Sequence, residues 1–145
     1  MIYYILSLGA NTGDPEKNLA LACEALSNYG AIKKRTPVER TRPWGIEDQP
    51  DFFNMLIGYS TALSPFELGA RIFRTETLIG RVKTKRWGPR EIDIDILLCG
   101  ELILNSCGLI IPHPFLHRRE FILKPLKKYF PDAVHPVFKK RIEEL

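Results

Sequence analysis

Apolar positions along this chain follow two rhythms, alternation by two and spacing by three or four, and the order in which they trade places predicts the architecture. Tyr3 to Leu8 reads as a first strand. Gly9-Ala10-Asn11-Thr12-Gly13 then forms a loop of residues that tolerate unusual backbone angles, and Asp14 followed by Pro15 marks a helix start. Leu19, Ala22, Cys23 and Leu26 share one face of that helix, and Gly30 is expected to close it. Ile32 to Arg40 predicts a second strand and Phe52 to Thr61 a third, in which Asn54 shares a face with Phe52 and Leu56. Thr41 to Pro50 between them predicts a long loop holding Trp44. Ser64-Pro65-Phe66-Glu67 is a capping box opening a second helix through about Ile79, with Gly80 at its end.

A basic loop, Arg81 to Arg90, leads into a segment of strict alternation in which Glu91, Asp93 and Asp95 fall on one face and Ile92, Ile94 and Ile96 on the other. Leu102 to Leu104 is expected to pair back as a hairpin arm. Pro112-His113-Pro114 leads to a third helix near Arg118 to Tyr129. Strand, helix, strand, strand, helix, strand is the order of an α+β, ferredoxin-like βαββαβ core. Such a core has a mostly antiparallel sheet with helices packed on one face, and in this chain the C-terminal helical material is expected to cover part of the other. That fold hosts many functions, so the side chains must decide the chemistry.

A chain of 145 residues suits a single domain, 1–145, with a core large enough to stand without staples. Hydrophobic content of 45% and charged content of 26% are ordinary for a soluble globular protein, and no apolar run spans a bilayer, so no membrane role is expected. The N-terminus lacks a basic leader, and Cys23, Cys99 and Cys107 are an odd set with no C-x-x-C pair. A cytoplasmic protein without a disulfide framework or zinc site is expected. The net charge of +4 suits an anionic ligand but selects none.

The acidic strand does more. Asp93 and Asp95 repel one another unless solvent or a cation screens them, and both are hard oxygen donors suited to Mg²⁺. The plain interpretation is a wet strand face guarded against edge pairing. Arg81, Lys83, Lys85, Arg86 and Arg90 lie just upstream, however, and cations beside a metal-binding acid pair are what a polyphosphate requires.

Leu8 to Asn11, Thr41 to Gly45, Asp48 to Phe52 with Asn54, Glu76 with Gly80-Arg81-Val82, Arg86 to Asp95, and Pro112 to Pro114 with Arg119 and Phe121 together resemble the 6-hydroxymethyl-7,8-dihydropterin pyrophosphokinase family. The resemblance implies transfer of pyrophosphate from ATP to the pterin alcohol, with release of AMP, a step of folate biosynthesis. It puts two Mg²⁺ ions on Asp93 and Asp95, one bridging the α- and β-phosphates and one the β- and γ-phosphates. Arg81 and Arg90 join the aspartates as catalytic groups. ATP contacts are implied at Glu76, Arg81, Lys83, Arg86, Arg90, Ile96, His113 and Arg119. Pterin contacts are implied at Thr41, Arg42, Pro43, Trp44, Phe52, Asn54, Trp87 and Phe121, the phenylalanines stacking on the bicycle and Asn54 reading its edge. Lys83 and Phe73 depart from the family's usual Arg and polar residue. ATP and the pterin are the expected partners, with no nucleic acid and a monomeric state. Two rivals share the architecture or the acids. An RNA-binding module would show a K/R-G-F/Y-G/A-F-V-like strand, absent here, and a metal-dependent phosphohydrolase would act without a pterin.

Overall fold

The computed structural model describes residues 1–43, 45–80 and 89–145. In chain order these form β1 (Ile2–Ala10), α1 (Pro15–Leu26), β2 (Gly30–Arg35), β3 (Glu39–Thr41), β4 (Phe52–Thr61), α2 (Pro65–Ile79), β5 (Asp93–Leu98), β6 (Leu104–Ser106), β7 (Leu109–Ile111), α3 (Glu120–Tyr129), β8 (Val134–His135) and β9 (Lys140–Arg141), followed by a 3-10 turn over Ile142–Glu144. The main sheet is antiparallel in the order β2-β4-β1-β5, with β3 also paired to β4. This is the strand order of the ferredoxin-like split βαβ unit.

Helix starts fall where capping chemistry puts them. The Asp14 carboxylate accepts the Lys17 N–H at 3.3 Å with Pro15 in the first turn, and Ser64 and Glu67 complete a reciprocal capping box. Gly80 ends α2 at φ 104°, in the left-handed region. Gly30 does not close α1. That helix ends at Leu26, and Gly30 opens β2 because a Cβ there would stand 2.5 Å from the Ser60 carbonyl oxygen across the strand pair.

The expected second strand is two strands. Pro37 lacks an N–H for the ladder, and between β2 and β3 the Thr36 hydroxyl accepts the Leu56 N–H at 2.8 Å in its place. β5 begins at Asp93, so Glu91 precedes it, and the Glu91 carbonyl takes the Asn18 amide at 3.1 Å. The hairpin after Gly100 pairs β6 with β7 in a sheet of its own, and α3 starts at Glu120 rather than Arg118.

The sheet has two covered faces. Tyr4, Leu6, Leu8, Met55, Ile57, Tyr59, Ile94 and Ile96 pack under α1 and α2. Ile5, Leu56 and Leu97 pack with Leu116, Ile122, Leu126, Phe130 and Ile142 under α3 and the C-terminal turn. Each fully buried aliphatic side chain contributes about 1.5–3 kcal/mol. With ten residues, α3 is about 15 Å long, whereas the ten-residue β4 runs about 33 Å. One end of this second face is therefore left open.

Candidate active site

The open end of the α3 face is a cavity of about 520 Å³ including its mouth, lined by Ser7, Gly9, Thr41, Arg42, Phe52, Asn54, Arg90, Asp93, Asp95, Arg119 and Phe121. Pleating explains the selection. Gly9 pairs with Asp93 and Ser7 with Asp95 across β1 and β5, while Gly9 also pairs with Asn54 on β4, so one face of three strands delivers the floor. A Cβ on Gly9 would lie 2.6 Å from the Asn54 side-chain oxygen, so glycine is what lets that amide lie across β1. Asn54 donates from its side-chain nitrogen to the Thr41 hydroxyl at 2.6 Å, which fixes the amide plane. Phe52 and Phe121 enter from β4 and the first turn of α3.

Charge is concentrated at the β5 end. Arg90 bonds Asp93 at 2.8 Å, each side chain about one-fifth exposed (19% and 21%). Asp95 is held well above the usual carboxylate range, first by burial and then by the charge of Asp93, with Glu76 adding to it and Arg119 and Arg90 opposing it. The 32% of its side-chain surface that remains open faces into the concave cavity, where desolvation still dominates. His113 lies with Nε2 3.8 Å from Asp95, and its Nδ1 accepts the Phe115 N–H at 3.1 Å, which leaves the proton of the neutral ring on Nε2. Burial, then the charge of Arg119, push this imidazole down to about 4, so it is neutral at pH 7. The Arg119 guanidinium lies between the rings of Phe115 and Phe121, 5.3 and 5.7 Å from their centroids.

Several expected site residues stand elsewhere. Ile96 packs in the α1/α2 core, on the face opposite Asp95, because alternation along β5 turns it away from the cavity. Glu76 is buried on α2, and its carboxylate accepts the Ile94 N–H at 2.9 Å along the outer edge of β5, beside the cavity rather than in its lining. Pro43 does not line the cavity, although Thr41 and Arg42 do. Phe73, which departs from the family's usual polar residue, is 71% exposed on α2. Trp44, Arg81, Lys83, Lys85, Arg86 and Trp87 lie outside the described residues.

Three contributors were missed by the sequence reading of candidate residues. Ser7 and Gly9 form the floor, and Asn11 ties the loops on either side of it. A small polar residue inside the apolar run Tyr3 to Leu8 was the available signal for Ser7.

The model of the 7,8-dihydro-6-hydroxymethylpterin-pyrophosphokinase family matches residues 5–131. The chain belongs to this family. Among its pyrophosphokinase relatives, the chain is 39% identical over 139 residues to the 2-amino-4-hydroxy-6-hydroxymethyldihydropteridine pyrophosphokinase of Aquifex aeolicus, covering 96% of this chain and 87% of that one. The same-named protein of Haemophilus influenzae is 38% identical, covering 94% and 86%, and that of Bacillus subtilis 40%, covering 83% and 74%. The fold is similar to that of the HPPK-DHPS protein of Plasmodium falciparum, with a TM-score of 0.72 at 17% identity over 99% of this chain. A further HPPK-DHPS crystal structure gives a TM-score of 0.78 at 14% identity. This chain spans 42% of the length of each of those solved chains.

Magnesium fits the pyrophosphokinase site on its donor chemistry. Two hard carboxylates stand on one strand face, and after burial it is the charge of Asp93 that raises Asp95, a repulsion that a bound cation would relieve. Among the described residues no cluster of three or more His, Cys, Asp or Glu side chains is arranged for a metal, so the two aspartates are the protein donors on offer.

Proposed function

We propose that the cavity seats a dihydropterin between Phe52 and Phe121, with Asn54 and Thr41 along its polar edge, and brings its hydroxymethyl group toward Asp93, Asp95 and Arg90. As a member of the pyrophosphokinase family, the chain transfers a pyrophosphoryl group to 6-hydroxymethyl-7,8-dihydropterin in folate biosynthesis. The observation that supports this seating is the convergence of an aromatic pair, a fixed amide and an acid pair in one cavity. A flat, amide-rich bicycle needs the first two and a polyphosphate acceptor site the third.

In this reading ATP is the donor. The alcohol oxygen attacks the β-phosphorus, the bond from that phosphorus to the oxygen shared with the α-phosphate breaks, AMP leaves, and the alcohol proton passes to solvent. Arg90 and Arg119 place fixed positive charge where negative charge grows on the transferring group. His113, neutral and with its proton on Nε2, donates toward a phosphate oxygen rather than adding charge. Two Mg²⁺ ions bound by Asp93 and Asp95 with the nucleotide would polarise the phosphate oxygens and lower the pKa of the attacking alcohol. Arg81, Lys83 and Arg86 are assigned to the triphosphate, Trp87 and Trp44 to closing over the substrates, and Arg42 to the mouth of the pterin pocket.

The same reading takes the chain as a monomer acting in the cytoplasm on small molecules, with neither nucleic acid nor membrane as partner. Free thiols at Cys23, Cys99 and Cys107 suit a reducing compartment, and no described helix is long and apolar enough to cross a membrane. The deciding experiment follows AMP during incubation with ATP, Mg²⁺ and 6-hydroxymethyl-7,8-dihydropterin. Pterin-dependent AMP is expected; AMP release that ignores the pterin would point to a phosphohydrolase and end the assignment.

A further inference from the structure

Between His113 and Arg119 on the loop that follows β7 lies His117, which lines no part of the cavity. It is held from the far side of the chain. The Phe138 ring meets His117 edge-on, 4.9 Å between centroids at 85°, and lies face to face on His135 at 4.1 Å and 16°. His135 is 3% exposed in β8, and its Nδ1 accepts the N–H groups of Val137 and Phe138 at 3.3 and 3.2 Å. The β8–β9 hairpin thus presents a stacked imidazole and phenyl pair, braced by its own backbone, to a single histidine of the loop.

Burial alone does not account for this arrangement. Phe138 remains 41% exposed, and the hairpin is already anchored by Ile142, which is fully buried and whose N–H donates to the Ala133 carbonyl at 2.7 Å. The loop itself is short and stiff around His117. Leu116 is fully buried under α3, and the Phe115 carbonyl accepts the N–H groups of both Arg118 and Arg119 at 3.0 and 3.1 Å. A tilt at residue 117 is therefore passed to the backbone of Arg119, two residues on.

We propose that Phe138 and His135 are positioning residues for pyrophosphoryl transfer: by gripping His117, the C-terminal hairpin sets the loop so that Arg119 and His113 meet the nucleotide phosphates. The proposal rests on the assignment of Arg119 and His113 to the nucleotide. Displacement of a charged group by about 1 Å can cost up to about a hundredfold in rate, so even a small relaxation of the grip is measurable.

The test compares steady-state constants of Phe138→Ala, Phe138→Tyr, Arg119→Ala and the double variant of Phe138→Ala with Arg119→Ala. Phe138→Ala is expected to raise the KM for ATP about tenfold while moving the KM for the pterin less than about twofold, with Phe138→Tyr restoring the wild-type value. Added to Arg119→Ala, the Phe138→Ala change should raise the KM for ATP by a smaller factor than it does alone, since only the displacement of His113 is then left to act. An Arg119→Ala variant with unchanged KM for ATP would instead remove the underlying nucleotide assignment. If Arg119→Ala weakens ATP use but Phe138→Ala does not, or raises both KM values alike, the positioning role alone is overturned. Should the alanine variant fail to fold, Phe138→Leu keeps the bulk without the ring stack. Faster amide exchange at Leu116 to Arg119 in folded Phe138→Leu, with the same ATP-selective KM rise, is then expected, and wild-type exchange and KM would refute the proposal.

Discussion

Asn11 and Arg90 hold each other by a reciprocal pair of hydrogen bonds: the Asn11 N–H donates to the Arg90 carbonyl at 3.0 Å, and the Asn11 side-chain oxygen accepts the Arg90 N–H at 2.9 Å. The same side chain, 3% exposed, donates from Nδ2 to Gln49 Oε1 and to the Pro50 carbonyl, each at 2.9 Å. One residue after β1 therefore sets the distance between the loop that leads into β4, which lines the cavity, and the residue that ion-pairs Asp93.

Replacing this residue should affect both stability and turnover. Asn11→Ala leaves the Arg90 N–H and the Pro50 carbonyl without their side-chain partner at a partly buried place, an expected loss of about 1 kcal/mol. Urea unfolding reads the first effect. Because Arg90 is then free to drift from Asp93, kcat should also fall by at least about tenfold. A variant with wild-type kcat would show that the Asn11 bridge does not position Arg90.

Asp95→Asn separates function from stability. It removes a carboxylate that burial and Asp93 make unfavourable, so the folded protein is expected to gain on the order of 1 kcal/mol while pterin-dependent AMP formation disappears. Thermal unfolding and the AMP assay are run on one preparation. Retained turnover would remove Asp95 from the chemistry.

Phe52→Ala should weaken the pterin far more than ATP. Loss of one stacking face costs about 1–3 kcal/mol for a flat ligand, a factor of about 5–150 in its affinity. Isothermal titration with each ligand gives the ranking, and a larger loss for ATP would place the pterin elsewhere.

His135 makes stability depend on pH. Burial, then neighbouring His117, lower its pKa below the ordinary 6.5, so the unfolded chain takes up a proton before the folded one does. Stability is then fully present above about pH 6.5 and is lost as the pH falls from there to the lowered folded value. His135→Asn offers an acceptor oxygen in place of Nδ1 and does not titrate. The loss of unfolding free energy between pH 7 and pH 5 should be smaller in this variant than in the wild type, and parallel curves would exclude His135 as a source.

Much of this was legible in the residues themselves. Asp14-Pro15 and Ser64 to Glu67 specify helix starts through local hydrogen bonds, and alternation around Asp93 and Asp95 puts both acids on one face wherever β5 docks. Other features depended on partners distant in sequence. Gly30 looks like a helix stop until Ser60 is set against it, and the apparent single strand of Ile32 to Arg40 divides because Leu56 bonds to Thr36. Ile96 belongs to the same segment as the aspartates, yet pleating against β1 turns it into the other core. The sequence by itself determined which residues bear charge, ring or amide and which local turns they begin. Only the tertiary structure decided that Ser7, Asn54, Asp95, Arg119 and Phe121 share one cavity, because side-chain direction is a local property whereas strand order, register and the short reach of α3 are set by contacts between elements far apart in the chain.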